Sequence, residues 1–489
     1  MLFNSFEFLL FFPIVTIIYF LLPHKLRWFH LLATSCYFYM AFVPIYILIL
    51  LLTIVVDYIA GIMIERAQGN RRKWFLVMSI VANVGVLMFF KYYNFFADNL
   101  NALLHIADQS HSIPLLKMVL PIGLSFHTFQ AMSYTIEVYR GHHKAEKHFG
   151  IYALYVMFYP QLVAGPIERP QNILFQFHEP KKFSFGNLDE GLKLMLWGFF
   201  KKIVIADRLA LVANPVFNHP AQYTGVQFFI ATIFFTFQIY CDFSGYSDIA
   251  LGTAKIMGFT LMENFNRPYF SKSIGEFWTR WHISLSSWFR DYLYIPLGGS
   301  RVKVSRHYLN LSIVFLVSGF WHGANWTFII WGALHALYLV LGLVANKATR
   351  KAGHTQSRLP HSKLAAAAAT FVCVAFAWIF FRANNVADAF YILRHLGSGW
   401  SAVWKPVQIK GMVTQLGGGD TIAGLTNIVL GALSILFLEF VQLKTRGRRA
   451  IDWLFDKPRV LRWGFYYSLI LLILIFGVFD NSEFIYFQF

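Results

Sequence analysis

The first residue whose type and setting suggest chemistry is a histidine inside a long apolar stretch. His322 lies within VSGFWHGANWTFIIWGALHAL, which covers residues 317–337. If that stretch is helical, Asn325 and Trp326 follow at spacings of three and four and share the face of His322. Ionisable side chains are costly within a membrane and are treated there as functional by default. His322 is therefore either a functional histidine or a satisfied residue of the core.

Two further features of this stretch bear on that choice. Gly319 and Gly323 carry no Cβ atom, so another backbone or a ligand can approach them closely. His335 follows His322 by 13 residues, which is about 220° around a helix. His335 does not share the face of His322, and we rank it well below His322 as a candidate.

The segment EFWTRWHISLSSWFRDYLYIP, residues 276–296, predicts an amphipathic helix. His282, Ser286 and Arg290 form a polar stripe. The neighbouring stripe is aromatic and apolar, and consists of Trp278, Trp281, Leu285, Trp288 and Tyr292. One interpretation is an interfacial helix whose tryptophans lie among lipid headgroups. The other is a helix that lines a polar chamber, where Arg280 and Arg290 meet the phosphates of a ligand.

A third cluster lies in FQIYCDFSGYSDIALG, residues 237–252, where Gln238, Asp242 and Tyr246 share one helical face. Asp248 lies nearby, and two carboxylates in an apolar setting need partners. Arginines of the central region could supply them. A structural ion-pair network is the alternative to a functional site. Three other charged residues in apolar runs are expected to be mainly structural: Asp57, Arg382 and Glu439.

Several classes of enzyme site find no support in the sequence. It contains no Walker A loop, no HExxH, no G-x-S-x-G and no EF-hand loop. Its three cysteines, Cys36, Cys241 and Cys373, lie in apolar stretches and outside any CxxC pair, so neither a disulfide framework nor a zinc site is indicated. We expect no bound metal.

The composition indicates a membrane protein. Hydrophobic residues make up 57% of the 489 residues and charged residues only 13%, against about 25% charged in soluble domains. The length fits one membrane body of roughly 11–12 spans of about 20 apolar residues each. Lys and Arg number 42 against 24 Asp and Glu, a net charge of +18. These basic residues form short clusters between apolar runs, which favours contact with anionic lipid headgroups and argues against nucleic-acid binding.

We expect a single membrane domain, residues 1–489, with three parts: N-terminal spans (1–139), a central region (140–310) and C-terminal spans (311–489). The central region is rich in proline and glycine, and irregular backbone at membrane depth is tolerated only inside protein or along a cavity. It is therefore predicted to form re-entrant and interfacial helices around a chamber. The candidate spans are Phe6–Leu22, Trp28–Phe42, Ile45–Ile64, Trp74–Phe95, Leu115–Tyr139, Leu311–Ala345, Leu364–Phe381, Ile422–Gln442 and Trp463–Phe479.

The basic loops predict the orientation. Positive charges at residues 24–27 follow the first span, so the N-terminus is expected outside. Five crossings then place the basic loop 140–148 inside. The last three crossings lead from the inside loop near residue 350 to an outside C-terminus. The final segment carries Asp480 and Glu483 and no Lys or Arg, which agrees with that side.

Taken together, these segments resemble the membrane-bound O-acyltransferase (MBOAT) family, most closely its bacterial branch of alginate O-acetyltransferase (AlgI-like) proteins. The block from Asn264 to Ala336 is long and specific. The motifs that carry the resemblance are QLVAGPIERP (Gln161–Pro170), QIYCDFSGYSDIALG (Gln238–Gly252), NFNRPYFSKSIGEFWTRWHISLSSWFRDYLYIPLGGSR (Asn264–Arg301), SGFWHGANWTFIIWGALHA (Ser318–Ala336) and FIYFQF (Phe484–Phe489).

The resemblance implies a fold and a site. The fold would be an all-α polytopic membrane protein, with a ring of tilted helices around a chamber that narrows into a tunnel. The family's principal catalytic histidine matches His322. His282 fills a second motif position, which is asparagine in many eukaryotic members and histidine in the bacterial branch. Weaker candidates for contacts with the donor or the substrate are Arg280, Arg290, Asp242, Asn325 and Trp321.

The resemblance also implies a reaction. His322 would act as general base on a hydroxyl that attacks an acyl thioester. The donor is expected to be acetyl-CoA from the cytoplasm, with no bound cofactor. The final acceptor would be an exported polysaccharide such as alginate, reached directly or through a serine of a periplasmic partner that resembles SGNH hydrolases. The protein would lie in the bacterial inner membrane with both termini on the periplasmic side.

Other functions stay open at this point. Within the family, the same motifs could serve acetylation of peptidoglycan or cellulose, or D-alanyl transfer to teichoic acid. Outside it, a chamber with buried charges would also suit a glycan or lipid transporter, or a structural subunit of an export complex. A transporter would produce flux without covalent change, and that flux would not depend on His322.

Overall fold

The structure is a computed structural model that describes residues 1–108, 112–117, 120–163, 165–351, 360–479 and 485. Every regular element in these residues is a helix, so the predicted all-α polytopic class is confirmed. The chain divides into two compact units: Met1–Met195 with Ser247–Glu263, and Leu196–Tyr246 with Asn264–Phe489. The ring of helices and the single domain remain predictions.

The helices are divided between the two units. In chain order they are α1 (Phe6–Leu21), α2 (His24–Met40), α3 (Ile47–Arg66), α4 (Asn70–Leu87), α5 (Tyr93–Ile106), α6 (Leu124–Arg140), α7 (Phe149–Met157), α8 (Tyr159–Leu162), α9 (Pro170–His178), α10 (Phe185–Phe199), α11 (Asp207–Asn218), α12 (Gly225–Ile256), α13 (Ile274–Arg280), α14 (Ile283–Phe289), α15 (Val304–His322), α16 (Trp326–Lys351), α17 (Pro360–Arg382), α18 (Val386–His395), α19 (Pro406–Leu416), α20 (Thr421–Thr445), α21 (Ala450–Phe455) and α22 (Arg459–Phe476). Helices α1–α9 belong to the first unit, α11 and α13–α22 to the second, and α10 and α12 contribute residues to both. Three π-helical segments continue neighbouring helices: Met88–Tyr92, Phe200–Ala206 and Arg290–Tyr294.

Seven helices of the described residues are long and apolar enough to cross a membrane. This is fewer than the sequence predicts, partly because some apolar helices are short, such as α1 with 16 residues. Asp480, Glu483 and all of the motif Phe484–Phe489 except Ile485 lie outside the described residues. The seven segments are Pro44–Arg66, Asn70–Ile106, Gly225–Ile256, Trp326–Ala348, Lys363–Arg382, Thr421–Thr445 and Arg459–Phe476.

A polar cluster joins α3 to α4 inside the first unit. The fully buried carboxylate of Asp57 accepts hydrogen bonds from Ser79 Oγ at 2.6 Å and from Asn83 Nδ2 at 2.8 and 2.9 Å. Ser79 and Asn83 lie one turn apart on α4 and therefore reach the same carboxylate. The contacts fit the structural role expected for Asp57.

The predicted span Leu115–Tyr139 is wrong at its beginning, because helix α6 starts only at Leu124. Residues 112–117 are not helical and lie along α5. Asn101 exchanges two hydrogen bonds with the backbone of Ile113, and Asn94 exchanges two with the backbone of Leu116, at 2.7–2.9 Å. These side chains satisfy the backbone polar groups that a helix would otherwise pair internally.

A fully buried carboxyl group, Glu168, organises the loop before α9. Its Oε1 accepts the backbone N–H of Met262, and Asn172 Nδ2 donates to Oε2 at 3.4 Å. Nearby, Gln176 exchanges two hydrogen bonds of 2.9 Å with the backbone of Thr260. Burial raises the pKa of Glu168 from 4.5 to about 7 because a low-dielectric setting disfavours the charged carboxylate.

This pKa predicts a pH dependence of stability. The folded state holds the proton of Glu168 more tightly than the unfolded chain, so stability falls as pH rises from about 4.5 to about 7. The loss is at most on the order of 3 kcal/mol. Glu168→Gln cannot ionise and should reduce the difference in thermal unfolding midpoint between pH 5 and pH 8. Glu179→Gln removes an exposed carboxylate and serves as the control. An unchanged pH dependence in Glu168→Gln would contradict the assignment.

The central region contains α12, a continuous helix of 32 residues, and its re-entrant and interfacial helices remain a prediction. In the most apolar 18-residue stretch of α12, 83% of the residues are buried. Its glycines act as contact points and do not interrupt it: a Cβ at Gly245 would lie 2.8 Å from the carbonyl oxygen of Gly198. Close helix packing therefore explains glycine here better than irregular backbone does.

The predicted span Leu311–Ala345 is two helices, α15 and α16, separated by residues 323–325. Gly323 is extended (φ −163°, ψ 153°) and ends α15. A Cβ at Gly319 would lie 2.3 Å from the carbonyl oxygen of Phe328, and one at Gly332 would lie 2.3 Å from that of Phe315. The two glycines let α15 and α16 pack directly against each other, which confirms the close approach predicted at Gly319.

Candidate active site

His322 is the last residue of α15, directly before the break. Its side chain lies among three aromatic rings, with centroid distances of 5.0 Å to Trp321, 5.1 Å to Trp331 and 5.2 Å to Phe381. All three contacts are edge-to-face, with interplanar angles of 73–85°. His322 and Trp321 are each only 4% exposed. The structure therefore places an ionisable ring in an aromatic, water-poor environment.

Asn325 does not share a helical face with His322, because the helix that the prediction assumes ends at His322. Its Oδ1 accepts the N–H of Thr327 at 3.1 Å, and its Nδ2 donates to the carbonyl oxygen of Asn384 at 2.9 Å. Asn325 thus caps the first turn of α16, as asparagine commonly does. The break itself fixes the end of α15 beside the start of α16.

His282 lies at a second break, which makes the predicted continuous helix over 276–296 wrong. Helix α13 ends at Arg280, Trp281 is extended, and His282 has a left-handed backbone with φ 44° and ψ 56° before α14 begins. Few residues other than glycine adopt this conformation, and it often marks a functional or constrained position. The polar and aromatic stripes therefore do not continue through this point.

Asn264 stabilises the break around His282. Its carbonyl oxygen accepts the N–H of Ile283 at 2.9 Å, and its Oδ1 accepts from the Oγ of Ser284 at 2.6 Å. The ring of His282 is fully buried and lies edge-to-face with Phe243 at 4.6 Å. Burial lowers the pKa of His282 to about 3, so its imidazole is neutral at physiological pH.

A continuous path of aromatic contacts joins the two candidate histidines. From the Phe243 neighbour of His282 it passes through Phe265, Trp281 and Trp378 to Trp331, which contacts His322, with centroid distances of 5.0–5.8 Å. His282 and His322 therefore border one aromatic core in the second unit. The sequence signal for this core is the density of Trp and Phe around both motifs.

The two arginines of residues 276–296 each pair with a carboxylate. Arg280 Nη2 lies 2.6 Å from Glu276 Oε1, one turn earlier in α13. Arg290 Nε lies 2.8 Å from Asp291 Oδ1, and the side chain of Arg290 is 62% exposed. Their assignment to ligand phosphates remains a prediction.

Asp242 lies in a buried ion-pair cluster. Lys202 Nζ lies 2.6 Å from Asp242 Oδ1 and 2.9 Å from Asp207 Oδ1, and all three side chains are at most 4% exposed. The other oxygen of Asp242 accepts the N–H of Ile485 at 2.8 Å. The cationic partner is thus a lysine and not one of the arginines expected from the sequence. Lysine fits because its compact ammonium group reaches two carboxylates at once.

The sequence analysis does not predict the contacts of Trp331 with His322 and His335. His335 is ranked low on the assumption of one continuous helix, but the hairpin of α15 and α16 brings both histidines against Trp331. The ring centroid of Trp331 lies 5.1 Å from that of His322 and 4.9 Å from that of His335. The spacing of four between Trp331 and His335 was an available signal, since it places both on one face of α16.

Comparison with known proteins gives a consistent family. Residues 138–382, which include every candidate site residue, match the model of the MBOAT, membrane-bound O-acyltransferase family. The chain is 36% identical to the "Probable alginate O-acetylase AlgI" of Pseudomonas putida, over 100% of both chains. It is 37% identical to the "Peptidoglycan O-acetyltransferase" of Helicobacter pylori, over 74% of this chain and 72% of that protein. It is 31% identical to the "Teichoic acid D-alanyltransferase" of Streptococcus thermophilus, over 51% and 65%.

These matches agree with the motifs and with the apolar helices described above. Full-length similarity at 36% identity leaves no part of the chain outside the comparison. The chain therefore belongs to the membrane-bound O-acyltransferase family, and it is a multi-pass membrane O-acyltransferase of the AlgI type.

Proposed function

We propose that the protein transfers acetyl groups from cytoplasmic acetyl-CoA for O-acetylation of an exported polysaccharide, with His322 as general base. The observation that carries the proposal is the placement of His322. It is an ionisable ring held between aromatic side chains at the end of α15, inside the range that matches the family. Membrane helices seldom bury such a group unless it has a function.

The reaction would proceed by nucleophilic attack on the thioester. The acceptor oxygen bonds to the carbonyl carbon, His322 takes the hydroxyl proton, and the carbonyl π electrons move onto the carbonyl oxygen. The C=O bond then re-forms, the C–S bond breaks, and the proton held by His322 passes to the departing sulfur. The products are an O-acetyl ester and a free thiol.

The aromatic rings around His322 support this role. During the transfer the ring becomes an imidazolium ion, and its centroid lies 5.0–5.2 Å from three aromatic centroids. A cation within about 6 Å of an aromatic centroid is stabilised by the ring quadrupole where it lies over the face of that ring. The same rings exclude water, which would otherwise hydrolyse the thioester.

His282 would serve as a neutral hydrogen-bonding group that orients the donor. Its pKa of about 3 keeps it uncharged, so it is not suited to bind the phosphates of acetyl-CoA as a cation. Arg280, Arg290, Trp321 and Asn325 are proposed to contribute to donor or substrate contacts. For Asp242, the pairing with Lys202 favours support of the core.

The acceptor is proposed to be alginate or a related exported polysaccharide. The relative from P. putida, which matches this chain over its full length, is named a probable alginate O-acetylase. Peptidoglycan is the second candidate, because the H. pylori relative is named for it at 37% identity. We further propose a bacterial inner-membrane location with periplasmic termini, and a separate periplasmic SGNH-hydrolase-like partner that passes the acetyl group to the polymer.

The test is the acetyl content of exported polysaccharide and of peptidoglycan in a strain that lacks the gene and carries wild type, His322→Ala, His282→Ala or the exposed-surface control His219→Ala. Membrane levels of each variant are compared by blot, and membrane vesicles are supplied with labelled acetyl-CoA. We expect label and acetyl content to fall to background in His322→Ala and to stay unchanged in His219→Ala. Full acetylation by His322→Ala would refute the proposal. Label found only in peptidoglycan would mean that peptidoglycan, and not the exported polysaccharide, is the acceptor.

A further inference from the structure

Two residues with buried N–H groups lie on one face of α16, and one of them contacts the proposed base. Trp331 and His335 are one helical turn apart, and both side chains are 0% exposed. The ring of Trp331 contacts both His322 and His335, with centroid distances of 5.1 and 4.9 Å. Neither residue takes part in the proton transfer assigned to His322.

The hydrogen bond from Trp278 fixes the tautomer of His335. The indole Nε1–H of Trp278 donates to Nδ1 of His335 at 3.2 Å. Since an indole nitrogen only donates, Nδ1 is the acceptor, and the hydrogen of the neutral imidazole lies on Nε2. His335 therefore presents Nε2–H as a donor, on the opposite side of the ring from Trp278.

Both of these donors lack an acceptor among the residues that the structure describes. Within the described residues, neither Nε1 of Trp331 nor Nε2 of His335 has a hydrogen-bond partner. Buried polar groups are nearly always paired, so an unpaired donor calls for an explanation, and a functional role is a common one. Two such donors one helical turn apart on α16, with ring centroids 4.9 Å apart, call for a common explanation.

We propose that Trp331 Nε1–H and His335 Nε2–H donate hydrogen bonds to the carbonyl oxygen of the acyl thioester and stabilise the oxyanion that forms on it. This inference rests on the proposed function. The carbonyl oxygen gains the electron pair of the C=O π bond when the hydroxyl oxygen attacks, and it returns that pair when the C–S bond breaks. The two donors bind this charge without transferring their own hydrogens.

The site fits an oxyanion better than it fits the attacking hydroxyl. The hydroxyl must give its proton to a base, which Trp331 cannot be, since an indole N–H has no acceptor capacity. Preorganised donors in a water-poor site stabilise developing negative charge strongly, because little solvent competes with them. The neighbouring His322 then receives the proton while the donors hold the oxygen.

The experiment compares variants that keep ring volume but remove one donor. Full-length protein is reconstituted in nanodiscs with labelled acetyl-CoA, an oligosaccharide of the exported polymer and a periplasmic extract of the host strain that supplies the proposed partner. Trp331→Phe is expected to lower kcat about 10²–10³-fold, with the pH at which the rate is half-maximal unchanged. Trp197→Phe removes an indole N–H from a buried site on α10 and should retain wild-type kcat. His335→Gln keeps one acceptor and one donor and should exceed His335→Leu by roughly tenfold or more.

The reference variant His322→Ala separates the two proposals. If His322→Ala is inactive while Trp331→Phe and His335→Leu both match wild type, the oxyanion assignment is overturned and the proposed function stands. If His322→Ala is active, the proposed function is refuted, and the oxyanion assignment that rests on it is refuted as well. If Trp331→Phe does not accumulate in membranes, the comparison of His335→Gln with His335→Leu tests the assignment instead. Equal kcat values of these two variants would overturn it. A shifted pH profile in Trp331→Phe would also overturn it, because that result indicates displacement of His322.

Discussion

Substitution of His322 by glutamine is expected to reduce the rate of acetyl transfer by about 10²–10⁴-fold. Glutamine preserves a hydrogen-bonding side chain of similar length, but it cannot accept a proton from the attacking hydroxyl. Any remaining rate would come from binding and orientation of the donor. The measurement is single-turnover transfer from labelled acetyl-CoA by full-length protein in nanodiscs, which isolates the chemical step from product release.

The pH dependence of the same rate gives an independent check. In wild type the rate should fall at low pH as His322 becomes protonated, and His322→Gln should lose that dependence. His219→Gln, at an exposed position outside the aromatic core, is the matched control and should keep both the rate and the profile. A His322→Gln protein that is folded and retains wild-type activity would show that His322 is only a core residue.

Replacement of Lys202 by methionine is expected to lower the free energy of unfolding by about 3–5 kcal/mol. The ammonium group of Lys202 lies between the carboxylates of Asp207 and Asp242, at 2.9 and 2.6 Å, and is 1% exposed. Without it, two buried carboxylates would face each other with no cation between them. Methionine has nearly the same length, so the change removes charge with little change in volume. Unfolding by sodium dodecyl sulfate in mixed micelles measures the effect.

Lys193→Met provides the comparison for that result. Lys193 forms a pair of the same chemical type with Asp189, one turn earlier in α10, but the side chain of Asp189 is 53% exposed. Surface pairs of this kind contribute about 0–1 kcal/mol. In the double variant Lys202→Met with Asp242→Asn, part of the stability should return because one uncompensated charge is gone. A Lys202→Met protein as stable as Lys193→Met would mean that the cluster does not support the fold.

Local sequence patterns predict the elements whose formation depends on neighbouring residues. The apolar runs of α3, α20 and α22 are recognisable from composition, because a helix satisfies its own backbone in a membrane. The isolated position of His322 in an apolar stretch is enough to make it a candidate. The family motifs add His282 for a similar reason, since each motif is contiguous in sequence.

Local sequence patterns do not predict where the helices are interrupted. In the sequence, the pattern of polar and aromatic residues over 276–296 has no interruption at His282. The helix nevertheless stops there, and Asn264 accepts hydrogen bonds from the N–H of Ile283 and the Oγ of Ser284. The break at Gly323 is similar, since Asn384 and Thr327 satisfy the amide of Asn325. In each case the residues that stabilise the break lie partly in another segment of the chain.

Composition and contiguous motifs are sufficient to establish the membrane as the solvent, the helical class, the family and the two candidate histidines. The partners of the buried groups follow only from the packing of distant segments: Lys202 lies beside Asp242, and Trp331 contacts both His322 and His335. The hydrogen bond between Asp242 and Ile485 joins residues 243 positions apart, and no local periodicity encodes such a contact. The energy of a buried charge or donor depends on the groups that folding brings within a few ångströms, so its role is fixed only when the chain has packed.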